Sequence, residues 1–433
     1  MDTLCPVHVE VRLKQESVVD YEQIRAGVDE YLGTMCTFFT KGVVILPETL
    51  QLSRYIDNIV ITEFDGDVEN EKIPQGNAQL FIHIFKLSDQ VPAEETADDD
   101  ESVTTCQQTI LPAASFDGLW DSLVFDSCVK KSLLEYAMTA MFFSDIKVNP
   151  HIISWNRVVL LHGPPGTGKT SLCKSLAQKL SIRLSSRYPC AVLLEINAHS
   201  LFSKWFSESG KLVMKLFRQI QELVEDEESF ICVMIDEVES LTAARKSAVS
   251  GSEPSDAIRV VNALLTQLDL LKRRSNVLVL TTSNITEAID VAFVDRADIK
   301  QYIGLPSCHA RYEILRSCVE ELRRVSILQS STKSLLTYQE IIRRRSLKKR
   351  VADQMSDPFG AENSSDDLEL SMRLLQAAEM AEGFSGRALR KLPFQTHAFF
   401  VQTRTTLGVA EFIHYLMQTI DREKKQKQEL NLG

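Results

Sequence analysis

The sequence predicts an α/β chain: a parallel sheet with helices on its faces, a helical C-terminal region, and a small α+β domain ahead of both. Three observations carry this. From Leu111 onward, near-continuous apolar runs alternate with helical segments, the pattern of βαβ units whose strands are covered on both faces. The run Val158, Val159, Leu160 and Leu161 passes directly into a glycine-rich loop, where a strand must hand over to a helix. After Gly304-Leu305-Pro306 the chain becomes helical and charged.

Residues 1–91 are expected to form the α+β domain. Val9, Val11 and Leu13 alternate with polar neighbours, as do Leu80, Ile82 and Ile84, and Asp20 can cap a helix in which Ile24, Val28, Tyr31 and Leu32 share a face. Residues 92–110 are expected to be an acidic flexible linker, since Pro92 to Thr105 holds Glu94, Glu95, Asp98, Asp99, Asp100 and Glu101 and only Val103 as a large apolar side chain. Residues 111–305 form the α/β subdomain, with strands at Val158 to Leu161, Ala191 to Ile196, Phe230 to Ile235 and Val277 to Thr281. Residues 306–433 form a smaller helical lid subdomain. Within it the basic Arg343 to Lys349 and the Ser- and Asp-rich Ser356 to Asp367 predict a mobile insertion near 343–370, with a basic binding patch as the alternative.

At 433 residues there is room for two to four domains, given about 100–200 residues each. The net charge of −11 is spread over both halves, which argues against direct nucleic-acid binding, because phosphate affinity needs a basic stripe. Nine scattered cysteines without a C-x-x-C spacing read as reduced thiols, with neither a disulfide framework nor a zinc site. The start, Met1-Asp2-Thr3, carries no signal-peptide pattern, and no apolar run approaches bilayer length. The expectation is a nuclear and cytoplasmic address without membrane association.

The loop Gly163-Pro164-Pro165-Gly166-Thr167-Gly168-Lys169-Thr170 can aim successive backbone N–H groups at phosphates. Lys169 can reach the β- and γ-phosphates, the Thr170 hydroxyl can ligate Mg²⁺, and Ser171 opens a helix whose dipole adds to the cradle. This predicts a nucleoside-triphosphate site. Downstream, Phe230 to Glu237 is a buried strand delivering two carboxylates to its C-terminal end, where open α/β sheets bind ligands. Asp236 suits the Mg²⁺ shell, and Glu237 suits a general base acting on water. Asn284, after the apolar strand that follows, can orient that water. Arg296, within Val294 to Asp298, can serve a neighbouring subunit as an arginine finger, or else pair locally with Asp295 or Asp298. Arg387 stands near a helix start and can fold back onto the γ-phosphate. Leu119 and nearby Phe125 can contact a base, although ordinary core packing fits them too.

The order of these strands, loops and residues resembles the AAA+ ATPases from about Leu111 to Phe412. The resemblance implies a P-loop core with a helical lid, ATP and Mg²⁺ as cofactors, and a ring, usually a hexamer, with its sites between subunits. It assigns Lys169, Thr170, Asp236, Glu237 and Asn284 as above and gives Arg387 sensor-two character. Many relatives show a Leu-Arg-Pro-Gly-Arg type segment with two arginines, where this chain offers Arg296 alone. Lys204, Trp205 and Phe206 lie where such remodelers carry a substrate-gripping loop. Two large aromatics on a polar loop suit non-directional contact with an extended polypeptide, against the alternative that they pack into the core.

At finer resolution the chain resembles the pachytene-checkpoint AAA+ remodelers, also called the thyroid-hormone-receptor-interacting type. Carrying segments are Trp155 to Gly163, Arg183 to Tyr188, Ser203 to Lys211, Ile235 to Ala244, Ser255 to Asn262 and Val294 to Gly304. The resemblance implies an N-terminal substrate- and adaptor-recognition domain and a hexamer that partly unfolds HORMA-domain proteins through a HORMA-like adaptor. It further implies roles in spindle-checkpoint inactivation and meiotic recombination and synapsis, at chromosomes and kinetochores. Competing readings are a motor on acidic tubulin tails or DNA, for which Lys204, Lys211, Arg245 and Lys246 offer charge, and an ATP-binding scaffold without hydrolysis, against which Glu237 and Asn284 speak.

Overall fold

The computed structural model describes residues 4–64, 72–97, 100–126, 128–198, 209–240, 256–285, 289, 291–329, 334–352, 365–402 and 407–431. The chain divides into two compact units. One comprises Met1–Trp120, Lys131–Leu161 and Thr170–Gln301; the other comprises Asp121–Lys130, His162–Lys169 and Tyr302–Gly433.

The first unit begins with β1 (Cys5–Leu13), α1 (Tyr21–Met35), β2 (Phe38–Thr40), β3 (Gly42–Val44), β4 (Ile56–Phe64), β5 (Lys72–Pro74) and β6 (Ala78–Phe85). Four of these strands form a sheet ordered β3-β4-β1-β6, in which β1 runs antiparallel to β4 and parallel to β6. Val7, Val9, Val11 and Leu13 share the buried face with Ile24, Val28 and Leu32 of α1, so the period of two in β1 meets the helical period in α1. Asp20 caps α1 as its side chain accepts from the Glu22 amide at 3.1 Å.

The same unit holds a sheet of seven strands, β7 (Ala93–Ala97), β8 (Asp100–Leu111), β9 (Val158–His162), β10 (Cys190–Asn197), β11 (Ser229–Asp236), β12 (Val277–Ser283) and β13 (Ile299–Tyr302), in the order β13-β9-β12-β11-β10-β8-β7. Its central strands β10, β11 and β12 are parallel and apolar, as their sequences require. The helices are α2 (Leu119–Ser122), α3 (Val129–Asp145), α4 (Lys169–Arg183), α5 (Ser209–Val224), α6 (Asp256–Leu271) and α7 (Val291–Val294). Phe217 and Ile220 of α5 and Leu264 and Leu268 of α6 bury against Val233 and Ile235 of β11.

The expected acidic linker is a correction. β7 (residues 93–97) pairs antiparallel with β8 (residues 100–111), and β8 pairs antiparallel with β10 from Ala191 opposite Leu111 to Glu195 opposite Gln107. Cys106, Thr109 and Leu111 are buried, so that end of the segment completes the sheet edge in spite of the acidic run before it.

The α+β domain is tied to α4 by charge. Glu10 of β1 meets Lys179 at 2.5 Å and Arg183 at 3.8 Å, and Glu63 of β4 meets Arg183 at 2.7 Å. These cations are nearly enclosed, with side-chain exposures of 6% for Lys179 and 3% for Arg183. Beside them His83 lies 3.1 Å from His8, and burial, then Arg183, His8, Lys179 and Arg25, push its pKa down to about 2.

The second unit carries α8 (Cys308–Arg324), α9 (Tyr338–Ala352), α10 (Ser365–Met380), α11 (Gly386–Thr396) and α12 (Val409–Asn431). Leu315, Leu374, Leu389, Leu392, Phe412 and Leu416 form its core. Part of the expected insertion near 343–370 is helical. Arg343 to Lys349 lie within α9, and 365–370 open α10. Only 353–364 fall outside the described residues. Among the described residues no helix is long and apolar enough to cross a membrane.

Candidate active site

In the second unit the phosphate loop is shaped by backbone conformations that exclude side chains. Gly163 has φ 141°, and a Cβ there would lie 2.2 Å from the Ile303 carbonyl oxygen; Gly166 has φ 75°, with Ser385 Oγ 2.8 Å from where its Cβ would be. Lys169 is buried, and its Nζ donates to the carbonyls of Gly163 at 2.9 Å and Pro164 at 2.8 Å. Thr167 Oγ1 donates to the Pro164 carbonyl at 2.9 Å, closing the loop on itself. The Arg387 amide donates to the Gly166 carbonyl at 3.0 Å, so the first turn of α11 rests on the loop, and the Arg387 side chain is exposed. Ser385 caps that turn by accepting from Ala388 at 3.3 Å. His162, just before the loop, has its pKa lowered by burial and then by Lys169.

Next to the loop lies a cavity of about 100 Å³, lined by Val124, Phe125, Asp126, Thr167, Tyr302 and Leu305 among others. An aromatic and aliphatic lining with few polar groups suits a flat base. Phe125 lines it, whereas Leu119 lies in the one-turn α2 and is not among the lining residues. Asp126 accepts from the Ser307 amide at 2.9 Å and from the Ser307 hydroxyl, which fixes the start of α8.

In the first unit, β11 is buried along its length and ends at Asp236. Thr170 Oγ1 stands 3.2 Å from both carboxylate oxygens of Asp236. A hydroxyl beside a carboxylate is a hard oxygen pair, the donor set Mg²⁺ prefers. Thr282 of β12 donates its hydroxyl to Asp236 Oδ1 and accepts from the Glu237 amide at 3.4 Å, and its carbonyl accepts from Val238 at 3.0 Å. Glu237 itself has φ 62°, the left-handed region, which turns the chain sharply at the end of the strand. Asn284, half-buried, follows β12 directly. Thr170, Asp236 and Glu237 are thus gathered around Thr282, a residue the motif reading passed over because a threonine in an apolar strand reads as β propensity alone.

Arg296 forms a two-pronged pair with Asp269 of α6, at 3.0 and 2.7 Å, and donates to the Ala292 carbonyl at 2.7 Å. For Asp269, burial works to raise the pKa, but hydrogen bonds from Arg296 and Lys272 outweigh it and hold the carboxyl low. The local partners expected for Arg296 are engaged otherwise in one case. Asp298 accepts from the Tyr136 hydroxyl, the Asn156 amide and the Arg157 amide at 2.6, 2.6 and 2.9 Å. Lys204, Trp205 and Phe206 lie outside the described residues.

Comparison with known proteins finds relatives over nearly the whole length. Residues 2–90 fit a model described as the TRIP13 N-terminal domain, 159–305 the ATPase family associated with various cellular activities (AAA), and 307–424 the TRIP13-like AAA+ ATPase lid C-terminal domain. The pachytene checkpoint protein 2 homolog of Oryza sativa subsp. indica is 50% identical over 96% of this chain and 87% of that protein. The chain belongs to the pachytene checkpoint protein 2 family. The Homo sapiens member is 47% identical, over 98% of this chain and 94% of its own length. The structure of C. elegans PCH-2 superposes with a TM-score of 0.74 at 35% identity, covering 97% of this chain and 99% of that one. As a pachytene checkpoint protein 2 relative with an AAA core, a TRIP13-type lid and a TRIP13-type N-terminal domain, the chain is a nucleotide-binding ATPase.

Proposed function

We propose that the chain acts as a hexamer that uses ATP hydrolysis to unfold part of HORMA-domain proteins, converting a closed form to an open one with the help of a HORMA-like adaptor. The single observation that carries this reading is the end-to-end family match, in which residues 2–90 fit the family's own N-terminal domain and not merely a generic ATPase core. The proposed settings are spindle-checkpoint inactivation and control of meiotic recombination and synapsis, in nucleus and cytoplasm and at chromosomes and kinetochores.

Within this reading each residue has a role. The glycines of Gly163 to Gly168, with Pro164, Pro165 and Thr167, keep the loop backbone in an anion-binding curl, and Lys169 moves from its carbonyl partners to the β- and γ-phosphates. Ser171 and the rest of the first turn of α4 present the positive end of that helix. Thr170 and Asp236 would hold Mg²⁺. When bound, Mg-ATP supplies a γ-phosphoryl group whose transfer to water drives the cycle. Glu237 takes the proton of the attacking water on its carboxylate, and Asn284 orients that water. Arg387 senses the γ-phosphate from the loop-docked end of α11, and Arg296 acts on a neighbouring subunit's site after leaving Asp269. Leu119 and nearby Phe125 contact the base, Phe125 from the cavity beside the loop. Lys204, Trp205 and Phe206 grip the extended substrate. Such traction is energetically reasonable, because native domains are stable by only about 5–15 kcal/mol and local segments by less.

The test is to incubate the protein and Mg-ATP with a closed HORMA-domain protein, with and without adaptor, and to follow conversion by ion-exchange mobility. Conversion that needs hydrolysis and adaptor supports the reading. Stimulation of ATP turnover by DNA or tubulin tails, with no conversion, overturns it.

A further inference from the structure

We infer that Thr282 is a positioning residue for hydrolysis, orienting both carboxylates of the site with a single buried hydroxyl. The inference rests on the hydrolytic roles proposed for Asp236 and Glu237. Thr282 is 1% exposed and sits in β12 between Thr281 and Ser283, both fully buried. At such a place valine has the same shape and a comparable strand preference, and a hydroxyl without partners is costly to bury. The hydroxyl here has two partners, and they belong to consecutive residues of the site: it donates to Asp236 Oδ1 and accepts from the Glu237 amide. By contrast the Thr281 hydroxyl donates to the Val159 carbonyl at 2.9 Å, an ordinary tie between strands.

The two hydroxyls that face Asp236 are not equivalent. Thr170 is equidistant from the two oxygens at 3.2 Å, and its one hydrogen cannot serve both fully. Thr282 bonds one oxygen only, Oδ1. A Thr170 hydroxyl that turns toward a metal ion therefore leaves Asp236 still anchored through Oδ1. Glu237 needs support of another kind. Its φ of 62° is uncommon for a residue with a Cβ, and the backbone there is braced on both sides by Thr282, through its hydroxyl to the Glu237 amide and through its carbonyl to the Val238 amide. One side chain thus sets the carboxylate that would hold Mg²⁺ and the peptide from which the base projects.

The experiment compares Thr282→Val, Thr282→Ala and Thr282→Ser in the full-length chain. Loss of a buried hydrogen bond to a charged group predicts that kcat for ATP falls about 10- to 100-fold in Thr282→Val, with KM for ATP within about threefold of wild type. Thr282→Ser, which keeps the hydroxyl, recovers kcat to within about threefold. Independently of turnover, the Mg²⁺ concentration that half-saturates binding of a fluorescent ADP rises about tenfold in Thr282→Val, while affinity measured in EDTA stays within about twofold. If Thr282→Val does not fold, Thr282→Ala against Thr282→Ser isolates the same hydroxyl. Wild-type kcat and Mg²⁺ dependence in Thr282→Val, or a Thr282→Ser as impaired as Thr282→Ala, overturns the inference. Glu237→Gln separates the two levels. If it is inactive while Thr282→Val behaves as wild type, the positioning role alone fails; if Glu237→Gln turns over normally, the hydrolytic assignment fails as well.

Discussion

Removing the Glu10 carboxylate should loosen the α+β domain from α4. In the intact chain Glu10 lies 2.5 Å from Lys179, whose side chain is only 6% exposed, and Arg183 stands 3.8 Å away. Breaking a buried pair by deleting one partner costs about 3–5 kcal/mol, because the surviving charge has lost both water and its counter-ion. The lower end applies here. Arg183 keeps Glu63 at 2.7 Å, so Lys179 alone is stranded, and it still faces the Trp120 ring at 6.0 Å, a contact worth about 0.5–1 kcal/mol. Glu10→Ala is therefore expected to destabilise by about 3 kcal/mol, and Lys179→Met by less, since it strands a partly solvated carboxylate that Arg183 still approaches. The double variant Glu10→Leu with Lys179→Met should recover to within about 1 kcal/mol of wild type, because an apolar pair removes both desolvation costs. Guanidinium unfolding, with hydrogen exchange of the β1 and β6 amides, reads both numbers. A loss below about 1 kcal/mol for Glu10→Ala, or a double variant as weak as the worse single one, would refute the reasoning.

Three further expectations follow from named contacts. Glu237→Gln should keep fluorescent-nucleotide binding and assembly but lower phosphate release by at least about a hundredfold, the usual worth of a general base; unchanged release rejects that role. Gly163→Ala should weaken nucleotide binding and cost about 2–4 kcal/mol, since its methyl would lie 2.2 Å from a backbone oxygen at a φ of 141°; a wild-type melting temperature and affinity would show the loop to be more yielding than its geometry implies. His83 should make the chain acid-sensitive. Its folded pKa is pushed down to about 2 by burial and then by Arg183, His8, Lys179 and Arg25, the first and third of which pair with Glu63 and Glu10, whereas unfolded it titrates near 6.5. Below pH 6.5 the unfolded state binds a proton the folded state refuses, so stability falls as pH drops, by up to about 2 kcal/mol at pH 5. His83→Gln should flatten that slope in denaturation curves taken from pH 7 to 5, and a slope equal to wild type would place the sensitivity elsewhere.

Much of the fold is legible in the sequence because its signals are local. The runs at β9 to β12 read as buried strands from consecutive residues, the Asp20 cap and the Ile24, Val28 and Leu32 stripe read as a helix, and the phosphate loop announces its own conformation. The misreadings share a cause. The segment at 93–111 is held by pairing with β10, some eighty residues away, and its acidic composition speaks only of local solvation. The basic run Arg343 to Lys349 reads as part of an insertion, yet straight-chain Arg and Lys are good helix formers, and charge without periodic apolar residues hides α9. Within the site, the carboxylates and the loop carry recognisable residue types, whereas Thr282 acts through where β12 lies against β11. The carboxylate partner of Arg296 is 27 positions upstream, on α6, out of reach of any reading of neighbours.

The grip of Asp269 on Arg296 has a consequence for how a ring would switch on. A guanidinium already satisfied by a carboxylate of its own chain is withheld from other anions, so a subunit on its own keeps that cation idle. If Arg296 takes the trans role proposed above, transfer to a neighbour's triphosphate would exchange one anion for a more highly charged one and leave Asp269 with Lys272. In the ring proposed above, docking of adjacent subunits and release of Arg296 from Asp269 would then be a single event, with α6 registering whether the seat beside it is filled.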